Sequence, residues 1–339
     1  MFAYSLYGLT LRSNLALPML ESATAPGADV VIDFVDAGRP MPRTGAMRRH
    51  ACPVVNAAGE SPFELWQLGD DAGFWLRSMI GDGWAEYLLA ADGARVEVMV
   101  HPGTPLRNLF PPLLGLVMPL VLRLRGVTCL HASAVLAGER VVAFTGPSET
   151  GKSTTLLAML RRGYGFFSDD LVALHAEGGR MLTYGGYPQV GVLPDTMGAL
   201  FGTGIELPYL WDDAPQRPDK RIYQPRWHSE ITAGVANPLA VVYLLAQRSR
   251  SRDGVRIRDM GPRDAVTQLV PHTTGNILSG AAGRAVDLER LSALVRTTPV
   301  RLIERPDDLA GIDELAIAID ADLARLTRQD ARWNTAEGR

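Results

Sequence analysis

A glycine-rich loop between two apolar segments constrains the fold of this chain more than any other stretch. Residues 146–154 read Gly-Pro-Ser-Glu-Thr-Gly-Lys-Ser-Thr and match the pattern G-x-x-x-x-G-K-[ST]. The apolar run at 141–145 predicts a strand before the loop, and residues 154–162, with leucines on one face, predict a helix after it. In this context the glycines let backbone N–H groups turn toward phosphate oxygens, and the helix N-terminus adds positive potential. We therefore predict a nucleotide-phosphate site formed by Gly146, Pro147, Ser148, Glu149, Thr150, Gly151, Lys152, Ser153 and Thr154.

The last residues of the loop predict the ligands that it takes. A lysine at this place in the motif reaches the β- and γ-phosphates, and the hydroxyl that follows it holds Mg²⁺. Lys152 and Ser153 occupy these two places. The sequence therefore predicts ATP and Mg²⁺ as the cofactors, although the loop alone does not separate ATP from GTP.

Composition and charge narrow the functional class. The 339 residues are 47% hydrophobic and 21% charged, which provides enough apolar material for a sizeable core in roughly two domains. The formal net charge of −3 argues against nucleic-acid binding through charge alone. Cys52 and Cys129 form no metal-binding pattern, which suggests a reducing compartment, and the N-terminus lacks the features of a secretion signal. We therefore expect a cytoplasmic protein.

The most membrane-like run extends over residues 110–122. It is too short to span a bilayer, and three prolines interrupt it. We expect a buried helix at this place and no membrane partner.

Short apolar runs separated by Gly and Asp turns predict a β-rich N-terminal domain at residues 1–104. This pattern is typical of an antiparallel meander. The predicted strands cover 3–11, 30–34, 63–68, 73–77, 85–89 and 95–100. A boundary rich in Pro and Gly follows at 101–105, so residues 105–328 form a second domain. Residues 329–339 are polar and predict a disordered tail.

The second domain is predicted to be an α/β fold around the glycine-rich loop. A helix is expected at 106–125, and two later helices begin at Pro262 and at Leu309. Further strands are expected at 128–136, 166–174, 181–184, 240–246, 256–259 and 300–304.

Two adjacent aspartates lie in the middle of the predicted strand 166–174. Asp169 and Asp170 follow Lys152 by one helix and one turn, a connection that can bring their strand beside the strand of the loop. Because neighbouring side chains on a strand point to opposite faces, the two carboxylates should have different partners. One carboxylate can then bind Mg²⁺ while the other faces an acceptor hydroxyl. A phosphoryl transfer requires both of these tasks. A solvated Asp-Asp turn is the alternative.

Other polar side chains have roles that their own chemistry leaves open. His131 lies in the predicted strand 128–136, and a lone buried histidine is more often structural than catalytic. Lys220 and Arg221 lie in a proline-rich loop, where they either clamp a phosphate or an acidic peptide end or form an exposed basic pair. The basic run at 248–252 is interpreted as a solvated loop.

Taken together, His131, the loop and the acid pair resemble the catalytic core of the bacterial HPr kinase/phosphorylase family. The Arg-Gly turn at 162–163 and the Ser-Asp-Asp sequence at 168–170 also resemble that family. The resemblance implies a phosphoenolpyruvate-carboxykinase-like P-loop kinase core with the β-rich domain in front of it. It implies that Asp170 is the base for the acceptor hydroxyl and that Asp169 supports Mg²⁺ or the loop. The implied catalytic set is Asp170, His131, Lys152 and Asp169.

Longer patterns resemble the branch of HPr-kinase-related proteins that modifies lasso-peptide precursors. They are Tyr-Gly-Leu-Thr-Leu-Arg-Ser at 7–13, Leu-His-Ala-Ser-Ala at 130–134, Tyr-Pro at 187–188 and Asp-Lys-Arg at 219–221. The resemblance implies that the acceptor is a serine of a small protein or of a ribosomal precursor peptide. Two other functions stay open: a small-molecule kinase on the same fold, and a nucleotide-gated protein that binds a peptide without modifying it.

Overall fold

The structure of the protein is a computed structural model. It describes residues 1–24, 27–37, 45–51, 59, 61–69, 72–80, 83–202, 204–208, 220–225, 234–248, 254–278 and 281–329. Over these residues the chain forms two large β-sheets, one small sheet and helices that cover them, so the fold is mixed α/β.

The first sheet contains the N-terminal strands. Those that the structure describes are β1 (Phe2–Leu6), β2 (Leu9–Ser13), β3 (Val30–Asp36), β4 (Met47–Ala51), β5 (Phe63–Gln67), β6 (Phe74–Ile80), β7 (Gly83–Leu89) and β8 (Arg95–Val100). Their order across the sheet is β1-β2-β3-β8-β7-β6-β5-β4. Buried and more exposed side chains alternate along β2 and β3, because one face of the sheet packs on the core.

The topology of this sheet corrects part of the predicted meander. Strands β4 to β8 follow one another and are antiparallel, as expected. In contrast, β3 is parallel to both β2 and β8. The predicted single strand at 3–11 is a hairpin, since Tyr7 and Gly8 both have left-handed backbones (φ 55° and 84°) that reverse the chain between β1 and β2.

A helical segment, Leu106–Leu124, packs with the first sheet. Its parts are a 3₁₀ turn at Leu106–Asn108, helix α1 at Phe110–Pro112, a π-helical turn at Leu113–Val117 and helix α2 at Met118–Leu124. The prolines have no N–H to donate, which interrupts the regular α-helical hydrogen bonds of the single helix that the sequence predicts. Leu113, Val117 and Val121 belong to the same buried cluster as the inward side chains of the sheet.

By length and apolar composition this 19-residue segment could cross a membrane, whereas the apolar run at 110–122, expected to be too short for that, is only part of it. In the fold, 56% of its apolar window is buried, in agreement with the expected contribution to the core. The boundary predicted at residue 104 separates this segment from the sheet on which it packs, and the division into domains stays a prediction.

The second sheet contains the strand that leads into the glycine-rich loop. The described strands after residue 125 are β9 (Thr128–Leu130), β10 (Ala132–Ala137), β11 (Arg140–Thr145), β12 (Gly165–Ser168), β13 (Val172–Glu177), β14 (Arg180–Thr183), β15 (Val190–Val192), β16 (Arg221–Tyr223), β17 (Asn237–Leu245), β18 (Arg256–Asp259) and β19 (Val300–Glu304). Strands β11, β17 and β19 are parallel neighbours at the centre. Strands β10 and β12 extend the sheet beyond β11, and β18 lies beyond β19. The start of β17 also pairs with β14, which leads to β13 and β9.

Helices cover both faces of the central strands. They are α3 (Lys152–Arg161), α4 (Pro194–Phe201), α5 (Pro262–Leu269), α6 (Ala281–Thr297) and α7 (Ile312–Gln329). Along β11, Val142 and Phe144 share a buried cluster with α3 and α7, whereas Val141 and Ala143 share one with α5 and α6. This alternation is the period of two that a strand imposes, and it makes β11 a central strand buried on both faces.

Several elements differ from the sequence-based expectations. The short strands β4, β15 and β16 and the helices α4 and α6 were not predicted, and the closing helix begins at Ile312 instead of Leu309. Of the predicted tail, Gln329 ends α7, and residues 330–339 lie outside the described residues.

Candidate active site

The glycine-rich loop connects the end of β11 with the start of α3, as its motif requires. Gly146 and Gly151 have positive φ angles of 147° and 88°. A Cβ atom on residue 146 would lie 2.5 Å from the backbone oxygen of Leu245, so this position needs glycine. The loop and the first turn of α3 line an open cavity of about 760 Å³. We call it the loop cavity.

The ammonium group of Lys152 is held inside the loop. Its Nζ donates to the backbone oxygens of Gly146 and Pro147, each over 3.1 Å. Burial lowers the pKa of this lysine, and the charges of Asp170 and Asp169 oppose that shift. A partly desolvated ammonium group beside a backbone that curves around it favours a bound anion.

His131 and the two aspartates lie where two neighbouring strands are interrupted at the same level. Strands β10 and β12 pair on one side of the interruption, and β9 and β13 pair on the other. The predicted continuous strands at 128–136 and 166–174 are therefore wrong at these residues. The bends turn the three side chains out of the regular pairing and bring them beside the loop.

Asp169 is a buried carboxylate between two serines. Only 3% of the residue is exposed. Its Oδ1 accepts hydrogen bonds from Ser133 Oγ over 2.5 Å and from Ser153 Oγ over 3.1 Å. Its Oδ2 is buried and has no hydrogen-bond partner within the described part of the chain. Burial, and after it the charge of Asp170, raises the pKa of Asp169 to about 7. A buried carboxylate oxygen without a partner favours a cation at this position.

Asp170 has different surroundings from Asp169, as the sequence predicts, but the reason is a turn and not a strand. Its backbone is left-handed (φ 63°), a conformation that aspartate adopts more readily than most residues. Its Oδ1 lies 3.8 Å from Nε2 of His131, and both side chains line the loop cavity. The Asp170 side chain is 52% exposed, so desolvation that raises its pKa is incomplete, and His131, Lys220 and Lys152 outweigh it and hold the pKa below its ordinary value. The carboxylate is therefore ionised at neutral pH.

Only the first member of the predicted basic clamp lines the loop cavity. Lys220 passes close to the backbone of Gly191, where a Cβ atom would lie 2.7 Å from its Nζ, and its charge favours the ionised form of both aspartates. Arg221 is the next residue and begins β16, and it is not among the residues that line this cavity. Lys220 is thus the member of the predicted pair that the fold brings to the loop cavity.

Two arginines that were not predicted as site residues adjoin the loop. Arg248, interpreted from the sequence as part of a solvated run, donates to Glu149 O over 3.1 Å and to Asp307 Oδ1 over 3.0 Å. Arg305 is 9% exposed, and its Nη1 has no hydrogen-bond partner among the described residues. A Cβ atom on Gly151 would lie within 3.4 Å of both guanidinium groups. Both arginines therefore face the start of α3.

These arginines border a cavity of about 660 Å³, which we call the α3 cavity. Thr154 and Thr155 form one side of it, and residues between 305 and 315, which follow β19, form another. Arg305 directly follows β19, which is parallel to β17. Because ligands of α/β folds bind at the carboxyl ends of parallel strands, this position in the sequence could have indicated a site residue. Residues 249–253, which include the rest of the basic run, lie outside the described residues.

Comparison with known proteins gives a structural neighbour and no sequence relative. No protein-family model and no curated protein matches the chain. The chain is similar to the HPr(Ser) kinase/phosphatase from Coxiella burnetii. The sequence identity is 13%, the TM-score is 0.30, and the match covers 60% of this chain and 99% of that one.

The site combines three chemical capacities. The loop, Lys152 and the N-terminus of α3 offer backbone N–H groups and a positive charge to an anion. Asp169 and Ser153 offer oxygen donors to a divalent cation. Asp170 offers an ionised carboxylate beside an imidazole. Together these groups suit the transfer of a phosphoryl group to a hydroxyl.

Proposed function

We propose that this protein is an ATP- and Mg²⁺-dependent kinase with a phosphoenolpyruvate-carboxykinase-like P-loop core. Its acceptor is a serine of a small protein or ribosomal precursor peptide, with lasso-peptide tailoring as the setting and the cytoplasm as the compartment. The observation that carries the proposal is the position of Asp170, an ionised carboxylate that lines the loop cavity together with Lys152. A kinase requires such a group to orient the acceptor hydroxyl and receive its proton.

Mg²⁺ fits the residues around Asp169. Oδ2 of Asp169, which has no hydrogen-bond partner in the part of the chain that the structure describes, and the hydroxyl of Ser153 are hard oxygen donors. Mg²⁺ in nucleotide sites takes its other ligands from phosphates and water. Such a site needs no larger protein cage, and the described residues contain no group of three or more His, Cys, Asp and Glu side chains that could hold a metal. When bound, the ion neutralises negative charge on the phosphates.

ATP fits the loop cavity and the α3 cavity together. The backbone N–H groups of the loop and the N-terminus of α3 receive phosphate oxygens, and Lys152 exchanges its two carbonyl partners for them. Arg248 holds the loop at Glu149 through its hydrogen bond to the backbone. The α3 cavity, beside Thr155, has room for the nucleoside half.

The acceptor side of the reaction depends on Asp170. As the serine oxygen forms its bond to the γ-phosphorus and the bond to the ADP oxygen breaks, the serine proton passes to the carboxylate of Asp170. His131, 3.8 Å away, orients this carboxylate and keeps it ionised until the proton arrives. Lys220 lines the same cavity and offsets the negative charge.

The test compares the wild-type protein with Asp170→Asn, using labelled ATP, Mg²⁺ and a serine-containing precursor peptide. We expect phosphoserine formation to fall by about 10²- to 10⁴-fold, the usual contribution of a positioned base, while ATP affinity is retained. If Asp170→Asn forms as much phosphopeptide as the wild-type protein, Asp170 is not the base that receives the serine proton.

The same assay separates the alternatives. A panel of small-molecule alcohols, offered in parallel, identifies a small-molecule kinase if they alone are phosphorylated. An unmodified peptide that remains bound in the presence of ATP identifies a nucleotide-gated binding protein.

A further inference from the structure

A third cavity, of about 390 Å³, meets the loop cavity at His131 and Asp170, which line both. No residue of the glycine-rich loop or of α3 lines this third cavity. The acid pair therefore lies between a space for phosphates and a second space with different walls. We call the second space the acceptor cavity.

The wall of the acceptor cavity is mostly apolar, and it contains residues of the first sheet as well as residues of the segments that follow that sheet. Its apolar side chains include Phe63, Leu114, Leu116, Leu120, Leu171 and Ile277. Phe63 comes from β5 of the first sheet, and three leucines come from the Leu106–Leu124 helical segment. The N-terminal part of the chain is thus one wall of the active site.

The hairpin turn of the first sheet fixes this wall against the second sheet. The N–H of Tyr7 donates to Gly185 O over 3.3 Å, and Tyr7 O lies 3.1 Å from Nε2 of His175. A Cβ atom on Gly8 would lie 2.7 Å from the ring of Tyr184, so the turn packs closely. Because Tyr7 itself lines the cavity, the shape of this space depends on the contact between the two sheets.

Charge separates the acceptor cavity from the loop cavity. Besides His131 and the acid pair at the junction, the polar side chains of the described lining are two tyrosines and Thr274, and the lining includes no Lys or Arg. A phosphate or a free carboxylate binds most strongly to cationic side chains, and the described wall contributes no Lys or Arg. An uncharged apolar group matches it.

We infer that the acceptor cavity binds a bulky apolar side chain next to the acceptor serine of the peptide. This inference rests on the proposed function, because a serine placed at Asp170 directs the neighbouring side chain into the cavity. A hydroxymethyl group fills little of about 390 Å³, whereas a leucine or phenylalanine beside it removes apolar surface from water on both sides. The expected preference over a charged neighbour is about 10- to 100-fold.

The first experiment compares peptides that differ only in the residue beside the serine. Leucine and phenylalanine are compared with lysine and glutamate, by equilibrium binding in the presence of a non-hydrolysable ATP analogue and by kcat/KM for phosphorylation with ATP. We expect the apolar peptides to bind and react about 10- to 100-fold better. Equal binding of all four peptides would overturn the inference.

The second experiment places a larger side chain at a glycine that lines the cavity. Gly115 lies in the π-helical turn, and a Cβ atom there meets only the hydroxyl of Tyr187, at 3.9 Å. Gly115→Leu should therefore fold, yet its side chain occupies the space of the peptide. Gly198→Leu is the matched control, because Gly198 is also helical and a Cβ atom there meets nothing within 4 Å.

We expect Gly115→Leu to weaken binding of the leucine peptide by about tenfold or more, with ATP affinity and thermal stability close to those of Gly198→Leu. Unchanged peptide binding in a folded Gly115→Leu would overturn the inference, and so would reactivity confined to small alcohols. Binding of apolar peptides that depends on Gly115, without any phosphorylation, would support the cavity assignment and reject the proposed kinase activity. These outcomes distinguish a failure of the cavity assignment from a failure of the proposed kinase activity.

Discussion

Ser153 and Asp169 are hydrogen-bonded across the candidate active site, with Ser153 Oγ donating to Asp169 Oδ1 over 3.1 Å. Ser153 lies in the first turn of α3, and Asp169 follows the end of β12. The bond thus joins the glycine-rich loop to the interrupted strands, and the second carboxylate oxygen is left without a partner in the described structure.

The first prediction is that Asp169→Asn stabilises the protein in the absence of metal. The pKa of Asp169, raised to about 7 by burial and by Asp170, exceeds the ordinary value of 3.8. The folded state therefore holds this proton more tightly than the unfolded chain, and stability decreases as pH rises from about 4 to about 7. At pH 8 we expect the amide variant to unfold with a free energy about 1–3 kcal/mol higher, measured by denaturant titration with a chelator present.

Asp322→Asn is the control variant, and we expect it to lower the free energy of unfolding instead of raising it. Asp322 is also buried, but its carboxylate is paired with Arg301 at 2.6 Å and accepts a hydrogen bond from Tyr243 over 2.8 Å. Removing one partner of a buried pair destabilises by about 3–5 kcal/mol. A loss of stability in Asp169→Asn as large as this would contradict an unpaired buried charge at residue 169.

The second prediction concerns the pH dependence of Mg²⁺ binding. A proton and Mg²⁺ compete for the carboxylate of Asp169, whose pKa lies at about 7. The Mg²⁺ concentration that half-saturates nucleotide binding should therefore rise by about tenfold from pH 8 to pH 6. Calorimetric titrations across this range measure it, and a flat profile would exclude Asp169 as the ligand that titrates.

The third prediction is that Gly146→Ala weakens nucleotide binding. The added Cβ atom would lie 2.5 Å from the backbone oxygen of Leu245, so the loop must move. We expect at least about a tenfold loss of ATP affinity, equivalent to about 1.4 kcal/mol. Gly138→Ala is the control, since Gly138 also has a positive φ (61°) but open space around it. This control should lose about 1 kcal/mol of stability and bind ATP normally.

The fourth prediction assigns nucleotide binding to Arg248. Its guanidinium joins Glu149 O in the loop to the carboxylate of Asp307, so Arg248→Ala should loosen the loop and weaken ATP binding by about 3- to 10-fold. Arg258→Ala removes an exposed arginine that pairs with Glu304 on the surface and should leave the affinity unchanged. Equal ATP affinities of the two variants would show that Arg248 does not contribute to nucleotide binding.

The sequence predicted the local parts of the site because their geometry depends on neighbouring residues. The strand, loop and helix from 141 to 162 form one contiguous unit, and Gly146 and Gly151 have the backbone conformations that such a loop demands. The different surroundings of Asp169 and Asp170 were also predicted, although from an incorrect strand. A left-handed backbone at Asp170 separates them instead, and no periodicity in the sequence indicates such a bend.

Contacts between distant residues decided the remainder. Apolar patterning predicted continuous strands through His131 and the acid pair, because the interruption comes from a change of pairing partners between β9, β10, β12 and β13. Arg248, Arg305 and Asp307 reach the loop only through the parallel packing of β11, β17 and β19. The apolar wall of the acceptor cavity is assembled from segments as far apart as Tyr7 and Ile277.

The amino-acid sequence by itself therefore determined the strand, glycine-rich loop and helix that an acid pair follows, because a short motif specifies its own backbone. Only the tertiary structure decided that a carboxylate oxygen of Asp169 has no hydrogen-bond partner among the described residues and that an apolar space opens beside Asp170. Burial and cavity shape arise from side chains that meet across two sheets, and neither is encoded by the spacing of residues along the chain.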